Sequence, residues 1–409
     1  MTLLKNIKHT FRALRHRNYA LYFSGQSVSL IGTWMQQMAI SWLTYRITNS
    51  PFMLGLIGFL GQIPTLIFTP FAGVFADKYN RRRILILTQI LEMVQAFVFA
   101  ALIISGMISI WNIIALTIFV GIVVAFDAPA RHAFVAEMVS KKEDLSNAIA
   151  LNSLTFNAAR LIGPAIAGVL VAMLGEGMCF FMNGVSYLAV IFALAGMRIA
   201  SRPVQREHKP VMQEFKEGMS YTLSHSVIRS IIMLTALMSL IGMSYVVLMP
   251  VFAKDVLGGN ALTLGFLMGA TGLGALLGAL YLASRKDAKG LNKLIFYMTN
   301  LFGVSLIAFS LSRALWLSIV IMVFTGFAMI AQMASNNIVL QTIVHDNMRG
   351  RVMSIFMAAF MGVVPFGCLL SGALAGLIGA PATLLISGIL CVLGSMPFLY
   401  RENELKEAK

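Results

Sequence analysis

Four ionisable side chains lie within or at the edge of long apolar runs: Asp77, Glu92, Asp127 and Arg160. Such a group is costly in a low-dielectric setting unless it is paired. A carboxyl left without a partner there can take up and release protons near neutrality, and a lone guanidinium can hold an anion. Glu92 follows the charged stretch before it by some eight residues, Asp127 lies near the end of its apolar run, and Arg160 falls mid-run. Two roles stay open for Asp127. It could carry a proton, or it could be paired permanently with Arg131 or Arg160, which would remove it from proton traffic. Arg160 is the best placed to hold an anionic group of a ligand or a carboxylate of the chain itself.

Uncharged polar groups add to this set. Gln26, Ser29, Thr33, Gln37, Ser41 and Thr44 are spaced by 3, 4, 4, 4 and 3, so they share one helical face. Either neighbouring helices satisfy them, or they line a water-filled or ligand-lined cavity, with Thr33 and Gln37 as candidate contacts. Asn152, Ser153, Thr155 and Asn157 precede Arg160, and Gln332, Ser335, Asn336, Asn337 and Gln341 cluster later. Met353, Met357 and Met361 recur at i, i+4 and i+8 beside Phe356 and Phe360. A Met/Phe stripe suits a pocket for varied apolar ligands and equally suits ordinary packing. Cys179, Cys368 and Cys391 are far apart, and the six histidines fall in the arm, loops or linker or at their edges. Neither set has metal or redox spacing. No nucleophile–base pair or nucleotide loop is visible, so no enzymatic chemistry and no cofactor are expected.

The elements that position these residues follow from composition. The chain has 409 residues, of which 58% are hydrophobic and 11% charged. A soluble domain could not hide that much apolar surface. Twelve apolar segments can be read, at about 19–45, 52–76, 84–107, 111–131, 146–174, 178–199, 227–252, 262–284, 291–311, 315–340, 352–377 and 381–400. Each approaches the ~20 residues that cross a bilayer core as a helix. With both termini placed in the cytoplasm, 27 of the 31 Lys and Arg fall inside and three (Arg46, Lys254, Arg313) outside. That is the positive-inside bias, so the net charge of +15 orients the chain in a lipid bilayer and does not imply nucleic acid. Leu4, Ile7, Phe11 and Leu14 lie opposite Lys5, Lys8, Arg12 and Arg15. This arm reads as an amphipathic helix on an anionic membrane surface, not as a cleaved signal peptide. The expected organisation is the arm at 1–18, six helices over 19–199, a charged cytoplasmic linker at 200–226, six helices over 227–400, and a tail at 401–409. Gly163, Gly168 and Gly175 recur as Gly367, Gly372 and Gly379, each displaced by 204, and Asp77 recurs as Asp287. This is the mark of duplicated halves.

The hinge between segments 2 and 3 is Gly73-Val-Phe-Ala-Asp77-Lys78-Tyr-Asn80-Arg81-Arg82-Arg83. It resembles the loop signature of the major facilitator superfamily, Gly-x-x-x-Asp-(Arg/Lys)-x-Gly-x-(Arg/Lys)-(Arg/Lys). Asn80 stands in place of the second Gly, a departure that Asn's tolerance of left-handed backbone would make mild. Asp127-Ala-Pro129-Ala-Arg131 and Asn157-Ala-Ala-Arg160-x-x-Gly163-Pro164, followed by Gly168, resemble the multidrug and siderophore (enterobactin-exporter-like) branch. There Gly163, Pro164 and Gly168 would serve close helix packing. The antiporter pattern's further Gly, eight residues before Gly163, is Thr155 here.

The resemblance implies an all-α polytopic membrane protein, twelve transmembrane helices in two pseudo-symmetric six-helix bundles that rock about a cavity lined by segments 1, 4, 7 and 10. It implies a cytoplasmic gate of Gly73, Asp77, Lys78, Arg81, Arg82, Asp127 and Arg131, with Asp77 capping the N-terminus of segment 11 near Arg351–Met353. Segment 3 would lie outside the cavity, which favours a structural role for Glu92. The proton or substrate candidates are then Thr33, Gln37, Glu92, Asp127, Asn157, Arg160, Asn336 and Met357. The function implied is proton-coupled export of small amphipathic molecules, drugs or siderophores, by a monomer in the bacterial cytoplasmic (inner) membrane, with protons and the substrate as partners. The alternative is an importer or lysophospholipid flippase of the same fold.

Overall fold

The computed structural model describes residues 12–139, 141–197, 211–285 and 290–396, and among them every regular element is helical. After a 3-10 turn at Arg12–Arg15, the first six helices are α1 (Arg17–Thr48), α2 (Pro51–Lys78), α3 (Arg81–Ile104), α4 (Ile110–Met138), α5 (Lys142–Leu174) and α6 (Glu176–Ala195). A shorter α7 (Val211–Ser224) precedes α8 (Ser226–Val256), α9 (Ala261–Ser284), α10 (Leu291–Leu311), α11 (Leu315–Ile343), α12 (Asp346–Ile378) and α13 (Ala380–Ser395). Each of the twelve segments read from the sequence is thus a helix.

Ten of these helices, α2–α6 and α8–α12, are long and apolar enough to cross a membrane. Helix α1 has the length, but its polar stripe dilutes its apolar character, and α13 is 16 residues long in its described part. The arm before Arg12 and Asp287 lie outside the described residues.

Three boundaries differ from the sequence reading. Helix α4 runs on to Met138, so Asp127 and Arg131 are one turn apart inside a helix and not at its end. The apolar face continues through Ala130, Phe134, Val135 and Met138, all buried, and holds the extra turns. The charged linker expected at 200–226 contains a helix over 211–224. Glu217 of α7 pairs with Arg351 of α12 at 2.7 Å, and Gly218 lies against Arg351 Cβ. Asn80 is in extended backbone (φ −65°, ψ 110°), not left-handed. It is the N-cap of α3, its side chain accepting from Arg83 N at 3.2 Å. Asn suits that cap directly.

The chain divides into two compact units. Unit 1 is Met1–Ile47 with Leu60–Gln205, and unit 2 is Thr48–Phe59 with Arg206–Lys409. At one end of unit 1, Tyr19, Tyr22, Leu85, Phe134, Leu151 and Leu194 belong to one buried cluster drawn from α1 and α3–α6. In unit 2 the helices come closest through glycine. A Cβ on Gly326 would lie 2.0 Å from Thr271 O, so α9 and α11 touch backbone to backbone. The duplication is visible in the backbone: Gly175 (φ 83°, ψ 168°) and Gly379 (φ 84°, ψ 154°) cap α6 and α13 in the same conformation. Likewise Gly163 of α5 is pressed against Ile31 and Trp34 of α1, and Gly367 of α12 against Ser239 and Leu240 of α8.

Candidate functional site

Within unit 1, the charged candidates join a continuous buried polar chain. Arg131 and Asp127, four residues apart on α4, form an ion pair (Nε–Oδ2 2.7 Å, Nη2–Oδ2 2.5 Å). The other carboxylate oxygen of Asp127 accepts from Thr88 Oγ1 at 2.8 Å and Gln89 Nε2 at 3.3 Å, both on α3. Gln89 Nε2 also donates to Glu92 Oε2 at 3.2 Å. A second polar chain starts at Tyr187 of α6, whose hydroxyl accepts from Asn183 Nδ2 at 3.5 Å, and runs through Asn183 to Gln36 of α1 (2.8 Å) and Gln95 of α3 (3.1 Å). Glu92 and Asp127 are 6% and 4% exposed. Of the two roles open for Asp127, the geometry shows the ion pair, and its partner is Arg131, not Arg160. Glu92 forms no ion pair among the described residues.

The loop residues form a second cluster, where α2 ends and α3 begins. Arg81 bridges Asp77 (2.9 Å) and Glu137 of α4 (2.5 Å) and donates to Ala76 O at 3.2 Å. Arg82 is elsewhere. Its guanidinium donates to Leu194 O at 2.7 Å and Ala195 O at 2.6 Å, occupying the orphan carbonyls at the end of α6. Within this unit it is therefore a helix cap. Lys78 is exposed. A Cβ on Gly73 would meet nothing within 4 Å.

Arg160 forms a third site. It lies roughly 20 Å or more from either end of α5 at 1.5 Å per residue. Its guanidinium sits 5.7 Å from the ring centroid of Trp34, and Phe156 meets that ring edge-on at 5.5 Å. Arg160 makes no ion pair among the described residues. Gly163 permits this arrangement, since a Cβ there would fall 2.6 Å from Trp34 Cβ. Pro164 and Gly168 follow it, both buried. Asn157 donates to Ser153 O at 2.8 Å, back along its own helix.

The polar stripe on α1 divides in two. Gln26, Ser29 and Thr44 are buried, whereas Thr33 and Gln37 are exposed. In unit 2, Asn336 is fully buried and donates to Thr235 at 3.1 Å, tying α11 to α8. Met357 is 40% exposed and immediately precedes a π-helical turn, Ala358–Gly362.

Sequence reasoning missed Tyr187, Gln89, Thr88 and Glu137. A signal for α3 was available: Thr88, Glu92 and Gln95 are spaced by 4 and 3 and so share a face. Glu137 carries no such mark, because its partner Arg81 is fifty-six residues away.

The sequence pattern of the transmembrane secretion effector family matches residues 8–408. The staphyloferrin A transporter of Staphylococcus aureus is 27% identical over 94% of this chain and 96% of its own. The multidrug efflux pump Tap of Mycolicibacterium fortuitum is 25% identical (90% and 92%), and macrolide efflux protein A of Streptococcus pyogenes 22% identical (96% and 98%). Among solved structures, a bacterial homologue of the human lysosomal transporter Spinster, inward-facing and occupied, has a TM-score of 0.74 at 13% identity over 96% of this chain and 98% of that one. A bacterial homologue of the iron transporter ferroportin scores 0.69 at 15% identity (94% and 98%). Helices of membrane length, halves that repeat and these relatives agree: the chain belongs to the transmembrane secretion effector family of the major facilitator superfamily, and is a multi-pass membrane transporter, not an enzyme.

Proposed function

We propose that this chain is a proton-coupled exporter of small amphipathic organic molecules. It works as a monomer by alternating access in the bacterial cytoplasmic membrane, with both termini in the cytoplasm. The observation that carries the reading is Arg160, a mid-helix guanidinium without an ion pair among the described residues, laid on Trp34 and flanked by Phe156. A cation beside two aromatic rings suits a ligand with an anionic group next to an apolar body. The relatives named for staphyloferrin A, macrolides and multiple drugs support export of such molecules. The Asp77–Arg81–Glu137 cluster is proposed as the cytoplasmic lock.

The test begins with a thermal-shift screen of the purified chain against staphyloferrin A and a macrolide. Ligands that shift the melting point are then followed in proteoliposomes under an imposed pH gradient. Gradient-driven movement that stops when a protonophore is added is expected, and movement indifferent to the protonophore would end the proton-coupled reading. Arg160→Gln is expected to lose the shift given by an anionic ligand; a full shift would remove Arg160 from the binding site. Asp77→Asn is expected to abolish transport at near-normal expression, and transport at the wild-type rate would remove the lock.

A further inference from the structure

Helices α8 and α12 are interrupted in the same way. Each opens with a head of 12 regularly wound residues, Ser226–Leu237 in α8 and Asp346–Met357 in α12. A π turn of 5 residues follows, Met238–Gly242 and Ala358–Gly362, and regular winding then resumes from Ser244 and Val364. Helix α12 is the fourth after α8, and each of α8–α12 is long enough to cross a membrane, so the two run in the same direction. Both breaks therefore lie about 18 Å from the start of their helix, at 1.5 Å per residue. The two π turns are neighbours in space. Just beyond the second, Gly367 is pressed against the first, where its Cβ would fall 2.5 Å from Leu240 O and 2.7 Å from Ser239 O. A π turn disturbs the hydrogen-bond ladder at one place and is a position where helices bend. The described residues of α9, α10 and α11 contain none.

The two heads are also joined to each other, by α7. Glu217 of α7 pairs with Arg351 of the α12 head at 2.7 Å. Gly218 allows the approach, since a Cβ there would fall 2.9 Å from Arg351 Cβ and 3.2 Å from Ile355 Cδ1. Tyr221 meets the His345 ring edge-on at 6.4 Å. On the α8 side, the end of α7 is capped from the next helix. Arg229 donates to Leu223 O at 3.1 Å, and His225 Nδ1 donates to Tyr221 O at 2.8 Å, two of the orphan carbonyls there. The bond from Asn336 of α11 to Thr235 falls three residues before the π turn of α8, close to the pivot, where a tilt displaces least.

We propose that α7 and the heads of α8 and α12 form one body, hinged on the paired π turns, that tilts against the rest of unit 2. Glu217 and Arg351 are positioning residues that clip the α12 head into this body. A tilt of about 20° swings the tip of an arm of about 18 Å by about 6 Å. One end of unit 2 then opens by local bending while α9 and α11 keep their close backbone contact. The inference goes beyond the proton-coupled reading and does not rest on it.

Distances between pairs of spin labels on the purified full-length chain in lipid nanodiscs test it. No ligand and no pH gradient is applied, so the outcome is independent of what drives transport. The three native cysteines are buried, and the labels go on cysteines introduced at exposed positions. Met233→Cys with Asn347→Cys spans the two heads. Ser284→Cys with Asn347→Cys spans from the end of α9 to the α12 head, across the hinge. The first pair should give one narrow distance distribution. The second should be broad or two-peaked, spread over about 6 Å. Glu217→Gln should broaden the first pair. The charge swap of Glu217→Arg with Arg351→Glu should narrow it again, which a variant that merely misfolds would not do. A second pair as narrow as the first, or a first pair as broad as the second in the unclipped-free wild type, would overturn the hinged body. A first pair that stays narrow in Glu217→Gln would overturn the clip on which the single body depends. Proton-driven transport without the hinge, or the hinge without proton-driven transport, would separate this inference from the exporter reading.

Discussion

Units 1 and 2 repeat one helical plan but bury different chemistry. Among the described residues, all the buried carboxylates (Glu92, Asp127 and Glu176) belong to unit 1. The buried polar groups of unit 2 are serines, threonines, Gln332 and Asn336. Unit 2 instead departs from regular winding. Its helices contain π turns at Met238–Gly242, Phe252–Val256 and Ala358–Gly362, and the described helices of unit 1 contain none. A π turn breaks the i→i+4 ladder and often marks a functional position. One of these turns is pressed by Gly367, whose Cβ would come 2.5 Å from Leu240 O. Both units pack helices closely through glycine, but only unit 1 adds buried carboxylates that must be matched in charge, and only unit 2 adds π turns that must be matched in shape. Duplicated halves can keep a common frame while one takes on charge and the other plasticity of winding.

Mutations that target charge in one unit and shape in the other test this contrast. Arg131→Leu should have the largest effect. It strands Asp127 in the interior, and breaking a buried pair from one side costs ~3–5 kcal/mol. Denaturant or thermal unfolding in detergent measures the loss, and adding Asp127→Asn should recover much of it. A single variant as stable as the wild type would mean that charge matching does not hold unit 1 together.

Gly326→Ala should come next. Its methyl would sit 2.0 Å from Thr271 O and force α9 and α11 apart, at ~1–3 kcal/mol as for other overpacked sites. Gly376→Ala, where a Cβ meets nothing within 4 Å, is the control in the same unit and should be neutral or slightly stabilising. Equal effects at the two glycines would remove close backbone approach as the organising feature of unit 2. Glu137→Gln should have the smallest effect, at most ~1 kcal/mol, because Arg81 keeps Asp77 as a partner at this partly buried site. A larger loss would show that the loop cluster carries stability as well as the proposed gating.

The helices were legible because lipid demands long apolar runs, and each of the twelve runs became a helix. The site was legible only where partners are near in sequence. Asp127 and Arg131 are four apart, as are Asp77 and Arg81, and helical geometry brings each pair together. Arg82, five residues after Asp77 and placed beside it by the resemblance alone, binds the end of α6, more than a hundred residues on. Asn336 looked like a cavity residue and became an interhelical hydrogen bond.

Composition and spacing by themselves determined that this chain crosses a membrane, that its halves repeat, and which few side chains carry charge into the apolar runs. Hydrophobic burial and helical periodicity are local properties, so one strand of text is enough to state them. Only the tertiary structure decided which of those charges are matched. Asp127 took its helical neighbour Arg131, Arg160 was left on an indole face, and Glu92 was left without an ion pair among the described residues. The last two outcomes depend on how helices far apart along the chain turn their faces to one another, and that rotation is settled by packing rather than by any residue's own preference.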